Sequence, residues 1–168
     1  MPKTLNLFRH AEAVAKESRQ DDKTRDLTQT GIKDSLHIGN WFLEQNIHFD
    51  LIVTSSALRA ERTTEMAVQG MKSGNTKILS EDALYEASVR QLLEYINHLE
   101  DTYHNVLCVG HNPAISYLAE YLTKADIGDM ATGSVAIIRF DLSSWKEVSE
   151  NTGVLLNYVS PGTLTGDR

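Results

Sequence analysis

The hydrophobic positions of the chain form six short runs that alternate with longer amphipathic segments. The runs are short, and several are rich in β-branched residues, which is typical of strands. They predict strands at residues 4–8, 50–55, 76–80, 105–110, 134–140 and 153–159.

Four segments between these runs have the spacing of amphipathic helices. Apolar residues recur along one helical face in residues 32–43, 57–71 and 89–99, and a fourth helix begins in the segment NPAISYLAEYL, residues 112–122. Ser88 followed by Gln91 has the pattern of a capping box. Asn112 can cap the fourth helix, and Pro113 suits its first turn.

Strands that alternate with helices predict a mostly parallel sheet covered on both faces. No helical pattern separates the last two strands, so that edge of the sheet is expected to be antiparallel. The predicted fold class is α/β, a three-layer α/β/α sandwich. No repeat or linker divides the 168 residues, so we expect one domain over 1–168, with 160–168 as a C-terminal tail.

Composition narrows the classes of partner. The formal net charge is −7 and the sequence has no basic run, which disfavours a nucleic-acid partner. No segment has the length of a membrane span, so no membrane partner is expected. Cys108 is the only cysteine and lies in a strand-like run, which predicts a buried thiol. The N-terminal apolar run is too short for a signal peptide, and we expect a cytoplasmic protein.

Arginine and histidine residues follow three of the predicted strands. Arg9 and His10 end the first strand, Arg59 opens the helix after the second, and His111 follows the fourth. Each residue alone is typical of a surface ion pair or a structural hydrogen bond. Because the carboxyl ends of parallel strands share one edge of a sheet, their joint occurrence predicts a positive pocket there. Arg62, one turn after Arg59, is interpreted as a surface residue.

This residue set suits phosphoryl transfer. The planar fork of arginine matches phosphate oxygens, and a neutral imidazole can attack phosphorus. A second histidine can donate a hydrogen bond as charge develops, so no cofactor is expected. Alternatively, His10, His111 and Glu86 are ligands of a metal ion. The neighbouring arginines would repel a cation and no HxH or HExxH spacing occurs, so no metal is expected.

Four segments resemble the histidine phosphatase superfamily, which has the phosphoglycerate-mutase-like fold. FRHAEA resembles its Arg-His-Gly motif, with Ala11 at the glycine position, and LTQTG resembles the segment that opens the first helix. SSALRAERTTEMA and VGHNPAIS resemble its later arginine and second-histidine segments. The resemblance implies that His10 is the nucleophile, that Arg9 and Arg59 clamp phosphate, and that His111 is the second pocket histidine.

The resemblance also implies a general acid and a class of substrate. Larger members have an acidic residue after the third strand, which suggests Glu86 in LYEAS, with Glu81 and Asp82 as alternatives. The short chain is similar to SixA-type phosphohistidine phosphatases, which implies a phosphohistidine protein as substrate and a role in signal transduction. A phosphatase or mutase for small phosphate esters remains an alternative. So does a phosphate-binding module without catalysis.

Overall fold

The computed structural model describes residues 2–165. Within this range the strands are β1 (Lys3–Arg9), β2 (Leu51–Ser55), β3 (Lys77–Glu81), β4 (Asn105–Gly110), β5 (Val135–Phe140) and β6 (Gly153–Val159). The α-helices are α1 (Gln29–Glu44), α2 (Leu58–Met71), α3 (Val89–Asn97), α4 (Ala114–Thr123) and α5 (Pro161–Thr165). None of the helices described is long and apolar enough to span a bilayer.

The six strands form one sheet in the order β3-β2-β4-β1-β5-β6. The first four in this order are mutually parallel, and β5 and β6 are antiparallel to their neighbours. The mostly parallel sheet and its antiparallel edge are therefore confirmed. Because β1 and β4 are adjacent at the centre, the segments that follow them emerge side by side.

Helices cover both faces of the sheet, which confirms the three-layer sandwich. On one face the apolar side chains of α1 and α2 pack with Phe8, and on the other those of α3 and α4 pack with Leu5 and Leu7. Alternate residues of a strand point to opposite faces, so β1 contributes to both cores. Cys108 is buried in the second of these cores, and burial raises the pKa of its thiol to about 12. The prediction of a buried thiol is confirmed.

The N-terminal ends of α1 and α3 are capped, and the end of α1 packs against the loop that follows β1. Thr28 caps α1 by accepting a hydrogen bond from the Gly31 N–H at 3.0 Å. A Cβ at Gly31 would lie 2.2 Å from the Glu12 carbonyl oxygen, so only glycine lets α1 approach the loop after β1. The capping box of Ser88 and Gln91 is confirmed.

The predicted cap of the fourth helix is wrong. Pro113 is the N-cap residue of α4, and no side chain caps this helix. The Oδ1 atom of Asn112 instead accepts a hydrogen bond from the Ser116 hydroxyl at 2.6 Å. That acceptor therefore binds a side-chain hydroxyl and accepts no backbone N–H of the first turn.

Part of the predicted C-terminal tail is folded. Residues Pro161–Thr165 form α5, and Leu164 packs against the core that contains Phe8 and Phe42. An apolar residue thus ties this segment to the domain, which composition alone did not indicate. Residues 166–168 of the predicted tail lie outside the described part of the chain.

Candidate active site

The register of the central strands brings the two predicted histidines together. Arg9 of β1 is paired with Gly110 of β4, so His10 and His111 follow from neighbouring positions. Their ring centroids lie 5.1 Å apart with the rings tilted by 57°. Arg59 lies in the first turn of α2, the helix that follows β2, and β2 is the strand next to β4. The structure thus joins Arg9, His10, Arg59 and His111 in one cavity of about 320 Å³.

His10 has one ring nitrogen in a hydrogen bond, and the other has no hydrogen-bond partner among residues 2–165. Its Nδ1 lies 2.8 Å from the Ala11 carbonyl oxygen, which can only accept, so Nδ1 bears the proton. The neutral ring therefore has its lone pair on Nε2. Burial lowers the pKa of His10 to about 4, and the nearby Arg59 and Arg9 add to the effect. At neutral pH the imidazole is uncharged and can act as a nucleophile.

His111 has the same pattern of one engaged and one free nitrogen. Its Nε2 lies 2.7 Å from the hydroxyl oxygen of Ser55, the last residue of β2. Its Nδ1 is buried and has no hydrogen-bond partner among residues 2–165. Burial, together with His10 and Arg59, lowers the pKa of His111 to about 3. His111 is also neutral at physiological pH.

The two arginines keep a donor unused at the cavity. Arg9 donates from Nη1 to the Met130 carbonyl oxygen at 2.6 Å, and burial lowers its pKa. Arg59 donates from Nη1 and Nη2 to the backbone and side chain of Asp22, at 2.8 and 3.0 Å. The Nε of each guanidinium is buried without a hydrogen-bond partner in the described chain. Because buried donors are rarely left unpaired, this concentration of them indicates a site for an anion.

Three residues near the cavity were not predicted. Besides the contacts from Arg59, the Asp22 carboxylate accepts hydrogen bonds from Arg25 Nε at 2.9 Å and the Tyr85 hydroxyl at 2.7 Å. The hydrogen bonds from Tyr85 and Arg59 lower the pKa of Asp22 to about 2. Arg25 itself lines the cavity, and the Tyr85 ring lies 5.7 Å from the His111 ring. Asp22 and Arg25 lie in the segment QDDKTRD, which is typical of a solvated loop, so no sequence signal distinguishes them.

The remaining predicted residues lie outside this cluster. Glu86 is exposed, has a left-handed backbone with φ of 58°, and is not among the residues that line the cavity. It follows Tyr85, which is the residue of this loop that contacts His111. Arg62 pairs with Asp26 and Glu65, each at 3.4 Å, as expected of a surface residue.

The arrangement of the same side chains also bears on the alternative of a metal site. Among the described residues no group of three or more histidine, cysteine, aspartate or glutamate side chains is arranged to hold a metal ion. The two histidines of the cavity are instead surrounded by Arg9, Arg25 and Arg59.

Comparison with known proteins agrees with the motifs and the geometry. Residues 5–92, more than half of the chain, match the histidine phosphatase superfamily (branch 1). The chain belongs to this superfamily. Membership of the superfamily implies a phosphatase, a class of hydrolase.

Two relatives cover most of the chain. An uncharacterized protein of Mycobacterium tuberculosis is 26% identical over an alignment of 164 residues that covers 92% of this chain and 99% of that protein. The phosphohistidine phosphatase SixA of Escherichia coli is 24% identical over 139 residues, which are 82% of this chain and 85% of SixA. The similarity to the E. coli phosphatase therefore extends beyond the segment that matches the superfamily.

Comparison of the fold agrees with comparison of the sequence. A solved structure of the protein histidine phosphatase SixA complexed with tungstate superposes with a TM-score of 0.81 at 23% identity. The superposition covers 96% of this chain and 99% of that one. The phosphoglycerate-mutase-like architecture implied by the sequence is therefore confirmed.

Proposed function

We propose that the protein is a phosphohistidine phosphatase that works without a metal, through a covalent phosphohistidine on His10. The observation that supports this most directly is the state of His10. Its Nδ1–H donates to the Ala11 carbonyl, and its neutral ring has a lone pair on Nε2. This nucleophile lies in a cavity with three further positive or donor side chains, Arg9, Arg59 and His111.

In the first step the Nε2 lone pair of His10 attacks the phosphorus atom. A bond from phosphorus to Nε2 forms, and the bond from phosphorus to the substrate imidazole breaks as that ring takes up a proton from water or from a general acid. The free donors of Arg9, Arg59 and His111 bind the phosphoryl oxygens, whose charge redistributes in the transition state. Phosphoryl transfer depends mainly on such positioning and charge stabilisation.

In the second step water attacks the phosphorus of the enzyme intermediate. The bond to His10 Nε2 breaks, inorganic phosphate leaves, and the imidazole returns to its neutral form. The Nδ1–H bond to Ala11 keeps the ring in one orientation through both steps. Because the same donors bind the phosphoryl group throughout, no second set of residues is needed.

A protein-bound substrate is favoured by the small size of the domain. Two of the connections at this edge of the sheet are short: three residues separate Gly110 from α4, and a 3-10 turn at Asp82–Leu84 follows β3 directly, whereas residues 10–28 form a longer connection after β1. The two short connections add little wall around the cavity, so a phosphorylated side chain on another protein can reach it. The name of the E. coli relative, a phosphohistidine phosphatase, supports the same class of substrate.

The decisive experiment compares substrates and variants in the presence of a chelator. The wild-type protein and His10→Ala are assayed on a phosphohistidine protein, an aryl phosphate and small sugar phosphates. His98→Ala, which removes an exposed histidine that does not line the cavity, is the control. We expect wild type and His98→Ala to act fastest on the phosphohistidine protein, with acid-labile phosphate trapped on the enzyme, and His10→Ala to lose turnover and trapping.

Each alternative predicts a different result. Faster turnover of sugar phosphates would identify a small-molecule phosphatase, and binding of phosphate without turnover would identify a binding module. Loss of activity on chelation would indicate a metal enzyme. Activity that survives in His10→Ala would show that the nucleophile is another residue.

We also propose Glu86 as the general acid, and this role has its own test. Its exposed position beside Tyr85 is compatible with meeting the leaving group of a bound substrate. Imidazole leaves more readily than an alkoxide, so an acid matters less for a phosphoramidate than for an ester. Glu86→Gln should therefore slow hydrolysis of an alkyl phosphate more than that of phosphohistidine. Equal effects on both substrates would contradict this role.

A further inference from the structure

Ser55 lies behind the cavity and contacts His111 from the end of β2. It is fully buried, and its hydroxyl oxygen lies 2.7 Å from His111 Nε2. The backbone N–H of Ala57 donates to the same hydroxyl oxygen at 3.2 Å. The hydroxyl group thus has two neighbours, one of which can only donate.

The hydroxyl proton of Ser55 has one available acceptor among the described residues. Ala57 occupies an acceptor site of the oxygen, and His111 Nε2 is the only other hydrogen-bond partner of the oxygen in residues 2–165. If Nε2 were protonated and donated to Ser55, the hydroxyl proton would be buried without an acceptor. Such groups are strongly disfavoured inside proteins. The arrangement with the Ser55 O–H donating to Nε2 satisfies both hydroxyl functions.

The consequence for His111 follows from its charge. Burial and the neighbouring His10 and Arg59 lower the pKa of His111 to about 3, so the ring is neutral and has one N–H. When Nε2 accepts from Ser55, that proton must be on Nδ1. Nδ1 is the nitrogen that has no partner in the described chain.

We propose that Ser55 is a positioning residue, which fixes His111 as the Nδ1–H tautomer so that Nδ1–H donates to a phosphoryl oxygen in the cavity. This inference rests on the proposed function for the identity of the acceptor, but not for the tautomer. His10 and His111 then share one tautomer for opposite purposes. A carbonyl acceptor at Ala11 leaves His10 with a nucleophilic nitrogen, and a hydroxyl donor at Ser55 leaves His111 with a donor.

Nitrogen-15 NMR of the histidine side chains tests the tautomer directly. In wild type at neutral pH, we expect the His111 proton on Nδ1. In Ser55→Ala we expect it on Nε2, or exchanging between the two nitrogens. Ser55→Thr retains the hydroxyl and should restore the wild-type pattern. Ser35→Ala, which removes another fully buried hydroxyl that donates to the Gly31 carbonyl, should leave His111 unchanged.

Kinetics on the same variants measure the effect on catalysis. Ser55→Ala should lower kcat by about ten- to a hundredfold, with a much smaller change in KM, since the donor acts on charge that develops in the transition state. Ser55→Thr should recover most of the loss, and Ser35→Ala should keep wild-type kcat. Thermal unfolding of each variant identifies losses that come from misfolding.

The outcomes separate this inference from the proposed function. A wild-type His111 with its proton on Nε2, or a tautomer unchanged in Ser55→Ala, would overturn the role of Ser55 whatever the activity. The wild-type spectrum alone decides the point if Ser55→Ala does not fold. Wild-type protein that hydrolyses no phosphoryl substrate would overturn the proposed function, while the spectra would still decide what Ser55 does.

Discussion

The two ends of β1 each have a positive side chain, fully buried at Lys3 and half-buried at Arg9, and the two side chains differ in their hydrogen bonds. At the start, Lys3 is fully buried and its ammonium group contacts the carbonyl oxygens of Asp101 and Tyr103 and the Nδ1 atom of His104. At the other end, Arg9 binds one carbonyl oxygen and leaves its buried Nε unpaired. The five residues between them belong to the same continuous strand.

The difference distinguishes a structural cation from a binding cation. An ammonium group has three donors, and Lys3 has three acceptors for them, so nothing at that end is left to bind a ligand. At the carboxyl end Arg9, Arg59 and His111 each have an unpaired buried nitrogen, and they surround one cavity. Both ends have a positive side chain that is at least partly buried, and the carboxyl end differs because unpaired nitrogens of three residues cluster around one cavity.

Removing an arginine from the cavity should have the largest effect on activity and tests the difference between the two ends of β1 most directly. Arg59→Met should lower kcat/KM by about 10³-fold, roughly 4 kcal/mol of transition-state stabilisation, because a clamp on the phosphoryl oxygens is lost. The free energy of unfolding should change by about 1 kcal/mol or less, since like charges around the site are relieved. Steady-state kinetics and urea unfolding measure the two quantities. A variant that unfolds easily but keeps its turnover would reverse the assignment.

The histidines of the cavity predict a dependence of stability on pH. The pKa of His10 is about 4 in the folded chain and about 6.5 when unfolded, so below pH 6.5 the unfolded state binds a proton that the folded state excludes. The free energy of unfolding should fall as pH is lowered from 6.5 to 4, by roughly 3 kcal/mol for His10 alone. Above pH 6.5 this contribution is fully present.

Urea unfolding at several pH values in this window, on wild type and His10→Asn, measures that contribution. The variant lacks the titrating ring, so its unfolding free energy should depend less steeply on pH. Identical slopes for the two proteins would mean that His10 is not the group responsible.

A substitution at Lys3 should have the converse effect, lowering stability and leaving activity unchanged. Lys3→Met leaves the carbonyl oxygen of Asp101 without its lysine donor, while that of Tyr103 keeps only the indole N–H of Trp145. We expect the free energy of unfolding to fall by about 2 kcal/mol, with kcat/KM unchanged. Chemical denaturation and the phosphatase assay measure the two effects. A loss of activity at unchanged stability would remove the distinction between the two ends.

The smallest effect concerns the rim of the cavity. Arg25 lines the cavity, whereas Arg62 pairs with Asp26 and Glu65 outside it. Arg25→Met should raise the inhibition constant of inorganic phosphate about tenfold, as expected for one lost charge-assisted hydrogen bond. Arg62→Met is the matched control and should change that constant less than about twofold. Equal effects of both variants would indicate a diffuse electrostatic field instead of a defined site.

The strand and helix pattern could be predicted from the sequence because periodicity is local. All six predicted strands occur, within one or two residues at each end, and the covered parallel sheet follows from their alternation with helices. That topology also puts the ends of β1, β2 and β4 together, so the meeting of Arg9, His10, Arg59 and His111 could be predicted. The cap assigned to Asn112 failed, because its acceptor is engaged by Ser116 in the folded chain.

The sequence by itself determined which side chains meet at one edge of the sheet. Only the tertiary structure decided which of their nitrogens are free. His111 meets Ser55 across 56 residues, Arg59 meets Asp22 across 37, and Arg9 meets Met130 across 121. These partners have no periodic signal, because a hydrogen bond depends on angles and distances between atoms that only the packed chain brings together. For the same reason Lys3 and Arg9 have the same charge but differ in the hydrogen-bond donors that they leave unpaired.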